Sequence, residues 1–216
     1  MKVAYLFTGN RGEQLKRVLR GEDHGSGFWG MTHLSDHAVT AEIVEIEQIF
    51  SLAGARFLRR HILSMHTVHL PVFWKLFSYD IVFSSTVFAS QFLMTILRIL
   101  YIPCPLWVMH DFSITGLIGN RRTLRQKIFA WMVSRASGIV TISQKEAEIL
   151  KQIFPHLAEK VAYIPFGTDL TFFHQEGDAR GRTVIVAGTD PDRDYKTLFA
   201  ACADLDVDVI VTTYAD

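Results

Sequence analysis

Short apolar runs recur along the chain, separated by segments of helical length. They cover Val3–Phe7, Ala41–Ile46, Asp80–Ser85, Leu106–His110, Gly138–Ser143 and Val161–Pro165. Apolar strands joined by helices predict a parallel sheet covered on both faces. The helical segments carry their own signals. Ser143 precedes Glu146 by three residues, which predicts a capping box, and Ala147, Leu150 and Phe154 share one side before Pro155 stops the helix. Thr86–Leu100 is apolar nearly all round, which predicts a helix packed inside a large domain. Arg56, Arg59 and Arg60 fall at i, i+3, i+4 and predict a shared basic helical face.

The pattern changes after Phe173. His174–Arg182 is polar and glycine-bearing, as in a linker. A strand over Thr183–Gly188, a helix over Asp194–Cys202 and a strand over Val207–Thr213 follow. So few elements cannot bury two sheet faces. The predicted organisation is a Rossmann-like domain over residues 1–165, a hinge over 166–181, and the start of a second, incomplete Rossmann-like domain over 182–216. Within "AYIPFGTDLTFF", Pro165 and Gly167 redirect the chain, and Phe172 and Phe173 are expected to pack at the domain junction.

Composition narrows the class. Hydrophobic residues make up 49% and charged residues 20%, with zero net charge, so a folded core is expected and a general nucleic-acid binder is not. Charge is unevenly spread: Arg56–His61 and Asn120–Lys127 are basic, and the last stretch is acidic. The basic runs are either solvated faces or contacts for an anionic partner. Cys104 and Cys202 have no metal-ligand spacing and read as small core residues of a reducing compartment. The opening residues are too briefly apolar for a secretory signal, and Ile81–Leu97 reads as strand and helix instead of a membrane span.

Ligands of open parallel sheets bind beyond the carboxyl ends of the strands. After the first strand comes a long loop with Gly9, Gly25 and Gly27, where backbone can approach a ligand closely. The dinucleotide spacing occurs only at Gly25, Gly27 and Gly30, well past the strand, and no GxxxxGK[ST] is present, which argues against a nicotinamide enzyme. His110 ends the fourth strand, where it either bonds a sugar or phosphate, acts as a base near neutral pH, or serves structurally. After Gly188 a helix start carries Arg193 and Lys196, cations suited to phosphate, beside Asp190, Asp192 and Asp194. No Ser–His–Asp order, HExxH or Cys/His metal cluster stands out.

"GIVTISQKEAEIL", "VAYIPFGTDLTFF" and "TVIVAGTDPDRDYKTL" in this order resemble the middle of a GT-B glycosyltransferase of the family 4 type. "IPFGTD" stands where the family commonly shows "IPNGVD", with Phe166 and Thr168 as departures. The resemblance implies two Rossmann-like domains across a cleft, the first on the acceptor side and the second on the donor side. It implies that His110 projects toward the transferred sugar, and that Gly9, Gly25 and Gly27 belong to a flexible loop near acceptor and donor phosphates. It implies that Gly188, Arg193 and Lys196 meet a nucleotide-sugar diphosphate, with protein cations in place of a metal and no cofactor, and that anomeric configuration is retained. The family's acidic EX7E region would lie beyond Asp216.

A saccharide or lipid-linked acceptor is implied, in a cytoplasmic protein at the inner membrane face. The candidate face for that contact is Arg56, Arg59, Arg60, Arg121, Arg122 and Arg125. The competing readings are a non-catalytic acceptor- or membrane-binding module of the same fold and an unrelated nucleotide-dependent Rossmann enzyme.

Overall fold

The computed structural model describes residues 1–64, 66–85, 87–111, 114–170, 172–173, 181–187 and 194–212. The chain divides into two compact units, Met1–Phe173 and His174–Asp216.

The first unit follows the order β1 (Lys2–Leu6), α1 (Gly12–Leu19), β2 (Thr40–Ile43), α2 (Leu52–His61), β3 (Ile81–Ser84), α3 (Phe88–Ile99), β4 (Leu106–Asp111), α4 (Ile114–Ile118), α5 (Leu124–Val133), β5 (Gly138–Thr141), α6 (Gln144–Ile153) and β6 (Val161–Tyr163). Its six strands form one parallel sheet in the order β2-β1-β3-β4-β5-β6. The chain winds outward from β1 in both directions, so the sheet has a switch point between β1 and β3. Strand alternation fills both faces. Ala4 and Leu6 join a large core with Val82, Trp107, Met109 and Ile139, while Val3, Tyr5 and Phe7 join a smaller one with Phe28, Met31 and Ile43. The parallel, doubly covered Rossmann-like sheet expected from the apolar runs is the one observed.

Local differences have local causes. β2 stops at Ile43 because Ile46–Gln48 turns into a 3-10 helix, and the Gln48 amide donates to the Ile43 carbonyl at 2.8 Å. β6 stops at Tyr163. The Ile164 N–H still donates to Thr141 O at 2.9 Å, but Pro165 has no N–H to continue the ladder. α3 is not buried all round. It turns Ser90, Gln91, Met94 and Thr95 inward and leaves Leu93 and Ile99 exposed, because only one side meets the sheet. Two inward polar side chains donate hydrogen bonds, the Gln91 amide to Ser84 Oγ and Ser85 O and the Thr95 hydroxyl to Gln91 O, while Gln91 Oε1 has no partner among the described residues. Ser143 caps α6 by accepting from Glu146 N, but the Glu146 carboxylate accepts from the Thr115 N–H and hydroxyl at 3.0 and 2.7 Å, so the box is half made. The complete capping box is at Thr123 and Gln126, opening α5. Cys104 and Cys202 are free and half-buried, not core residues.

The second unit holds β7 (Thr183–Ala187), α7 (Tyr195–Cys202) and β8 (Asp208–Thr212), with β7 and β8 parallel. Ile185, Phe199 and Ile210 remain exposed there, since two strands and one helix offer little to cover them. Among the described residues, no helix is long and apolar enough to cross a membrane.

Candidate functional site

A cavity of about 920 Å³ opens at the carboxyl edge of the first unit's sheet. Phe83 of β3, His110 of β4 and Val140 of β5 form its floor, and Ile142 and Ile164 continue it just past β5 and β6. The site therefore lies where parallel strands point their next-to-last residues at one space.

His110 is only 2% exposed. Its imidazole lies between two rings: Trp29 with centroids 3.8 Å away, and Phe83 at 5.8 Å. Burial away from water lowers its pKa from 6.5 to about 4, so the ring is neutral at physiological pH. A neutral imidazole offers one donor and one acceptor. Its lowered basicity suits an orienting hydrogen bond better than the role of a base near neutral pH.

The loop after α1 supplies one wall. Gly25 precedes a 3-10 turn over Ser26–Phe28, then Trp29 and Gly30 both take left-handed backbone at φ 53° and 76°. Gly30 adopts this freely, whereas for Trp29 the conformation is costly. Phe28, fully buried against Phe7, anchors the turn that holds Trp29 over His110.

Residues 164–170 supply the opposite wall. Phe166 meets Trp29 edge-on at 5.4 Å. Asp169 ties the walls together: its carboxylate accepts from Gly25 N at 3.2 Å and Phe172 N at 3.2 Å, and its own N–H donates to Ser26 Oγ at 3.3 Å. Beyond it, His24 packs against Phe172 and Phe173 at 6.0 and 5.1 Å. These two rings, 39% and 49% exposed, rest on the glycine loop of their own unit.

A second polar cluster lies at the end of β1. Glu45 is buried and accepts from the N–H groups of Arg11 and Gly12 at the amino end of α1. Burial raises its pKa above the usual carboxylate value, and those hydrogen bonds oppose the rise. Arg59 forms a two-pronged pair with Glu47, at 3.2 and 2.8 Å, and donates to Thr8 O at 3.1 Å. His69 is 1% exposed, and burial and then the nearby Arg59 charge lower its pKa to about 4.

A family model described as Glycosyltransferase Family 4 matches residues 32–172. The chain belongs to glycosyltransferase family 4. Among solved structures it is similar to sucrose-phosphate synthase from Thermosynechococcus elongatus, at 12% identity and TM-score 0.55, covering 100% of this chain and 71% of that one. It is also similar to Arabidopsis thaliana UGT89C1, solved with UDP-L-rhamnose, at 13% identity and TM-score 0.45, covering 99% of this chain and 65% of that one. The chain thus spans about two thirds of the length of these structures. The likeness to the synthase concerns the fold. No curated protein matches the sequence.

In this family 4 chain the sequence-predicted residues separate into three groups. His110 and Gly25 reach the cavity together. A Cβ on Gly25 would touch Val18, Thr32 and Asp169 at 3.5–3.8 Å, one on Gly27 would lie 3.6 Å from the Arg11 guanidinium, and one on Gly9 would meet nothing within 4 Å. These are ordinary van der Waals distances, so packing does not require glycine at Gly9, Gly25 or Gly27.

The arginine face does not hold together. Arg56 and Arg60 are exposed, but Arg59 turns inward to Glu47, because Glu47 and the Thr8 carbonyl offer it paired acceptors. Arg121, Arg122 and Arg125 are exposed; the Arg121 guanidinium lies 5.4 Å from the Phe154 ring centre.

Of the residues expected to bind a donor, Gly188 and Arg193 lie outside the described residues. Lys196 is exposed in the first turn of α7, whose amino end is capped by Asp194 accepting from Thr197 N and Oγ1 at 2.9 and 2.6 Å. Trp29, Phe166, Asp169 and Glu45 escaped the sequence reading. Asp169 was visible as the aspartate of "GTD", and Glu45 as the carboxylate set among apolar neighbours in "IVEIE".

Proposed function

We propose that this chain is the acceptor-side part of a glycosyltransferase that moves a sugar from a nucleotide-diphosphate-sugar to a hydroxyl acceptor. The observation that carries the reading is His110, neutral and ring-packed, at the carboxyl-edge cavity of a family 4 chain. In the transfer, the acceptor oxygen forms a bond to the anomeric carbon as the bond from that carbon to the diphosphate oxygen breaks. The electron pair leaves on the diphosphate, and the acceptor's proton is released. His110 orients a substrate hydroxyl by a hydrogen bond, and the walls tied by Asp169 hold the acceptor close to the reacting carbon. Arg193 and Lys196 neutralise the departing diphosphate in place of a metal ion.

Titration with UDP-glucose and GDP-mannose tests the donor half. Specific binding that weakens in Arg193→Ala, and transfer that persists in EDTA, are the expected results. A well-folded chain that binds neither donor would instead be a module that holds the acceptor while a partner supplies the donor chemistry. The exposed Arg56 and Arg60, beside the exposed Leu52, Phe57 and Ile62, support a peripheral contact with an anionic membrane surface.

A further inference from the structure

The cavity beside His110 is built for an apolar guest. Trp29, Phe83 and Phe166 present rings to it, and Val140, Ile142 and Leu170 add aliphatic surface. Its charge content is low. Among its described lining residues the only carboxylate is Asp169, and none is lysine or arginine. Asp169 spends its carboxylate on the Gly25 and Phe172 N–H groups. A phosphate entering this space would shed water and meet no lining cation, which is strongly unfavourable. A saccharide would bring many hydroxyls, each needing a partner, to walls that are mostly hydrocarbon. A flat apolar body would stack on the rings and release water from them. At about 920 Å³ the space falls in the range of small-molecule pockets.

We infer that this cavity holds the uncharged, apolar body of the acceptor, an aromatic alcohol in chemical class, with its hydroxyl toward His110. The word acceptor rests on the glycosyltransferase reading; the binding of an apolar alcohol does not.

Isothermal titration of the whole chain, without any donor, tests this with 1-naphthol, 1-naphthyl phosphate and lactose. 1-Naphthol is expected to bind, its phosphate ester at least tenfold more weakly, and lactose not measurably. Phe166→Asp and Leu170→Asp are each expected to weaken 1-naphthol binding about tenfold or more. Both side chains are exposed, at 55% and 75%, so circular dichroism and melting should stay unchanged. Leu124→Asp, exposed and outside the cavity, should bind 1-naphthol as the parent does. The inference is overturned if 1-naphthol fails to bind, if the phosphate ester or lactose binds as tightly, or if both cavity variants bind 1-naphthol normally. Donor titration separates the two readings: 1-naphthol binding without UDP-glucose or GDP-mannose binding sustains the apolar site and removes the transferase reading. Donor binding without 1-naphthol binding does the reverse.

Discussion

The Trp29 indole lies on the His110 imidazole with ring centroids 3.8 Å apart. The indole is part of what keeps water from His110, whose pKa burial holds near 4. Replacing Trp29 by alanine should let water reach the ring and raise the His110 pKa by a unit or more, toward 6.5. A proton NMR titration of the His110 ring checks this. An unchanged value would mean that Phe83 and the strand ends alone exclude water.

Two buried histidines make stability depend on acid. His69 and His110 both have folded pKa values of about 4, below their ordinary 6.5. Between those values the unfolded chain binds more protons, so stability is present above pH 6.5 and lost as pH falls toward 4. Each contributes at most about 1.4 kcal/mol per pH unit. Glu45 works in the other direction, since its folded pKa is raised and the folded chain gains stability as this group takes a proton. Urea midpoints between pH 4.5 and 7 should fall with acid, and fall more steeply in Glu45→Gln.

Asp169 is expected to act as a clasp. Asp169→Ala removes the acceptors for Gly25 N and Phe172 N, at a cost of about 1–2 kcal/mol. Amide exchange should quicken at Gly25 and Phe172 while β1 and β4 keep their protection. Asp169→Asn, which retains one carbonyl acceptor, should lose less.

The three arginines of α2 should separate in energy. Arg59→Ala leaves the partly buried Glu47 without its cation and should cost about 2–3 kcal/mol, with lysine a poor substitute for a two-pronged pair. Arg56→Ala and Arg60→Ala should stay within about 0.5 kcal/mol. Chemical denaturation of the three variants checks the ordering.

Arg56 and Arg60 should matter at a membrane instead. Sedimentation with phosphatidylglycerol vesicles is expected to fall when both become glutamate, by roughly 1 kcal/mol for each lost cation. Equal sedimentation of parent and variant would remove this face from consideration.

Much of the architecture was legible along the chain. Apolar runs such as Val3–Phe7 and Gly138–Ser143 carried strand positions because a strand buried on both faces must be nearly continuous in hydrophobicity. His110 was legible as a site candidate because a strand's carboxyl end determines where its last side chain emerges. Arg59 was misassigned because helical spacing places it beside Arg56 and Arg60 but cannot reveal Glu47 reaching it from the preceding turn. The α3 segment shows the same limit: hydropathy predicted burial all round, while its polar Gln91 and Thr95 face inward and donate hydrogen bonds there.

By itself the sequence determined a parallel, doubly covered Rossmann-like sheet, the change of texture after Phe173, and the motif order that resembles family 4. These follow from periodicity and local chemistry, which neighbouring residues encode. Only the tertiary structure decided that Trp29 would cover His110, that Asp169 would clasp Gly25 across 144 positions of chain, and that the resulting cavity would be lined by rings and no described cation. Such contacts join segments far apart in sequence, and their geometry is set by how the sheet aligns its strand ends. The apolar "AYIPFGTDLTFF" thus keeps its phenylalanines because Phe166 walls the cavity and Phe172 and Phe173 pack on His24 of the glycine loop.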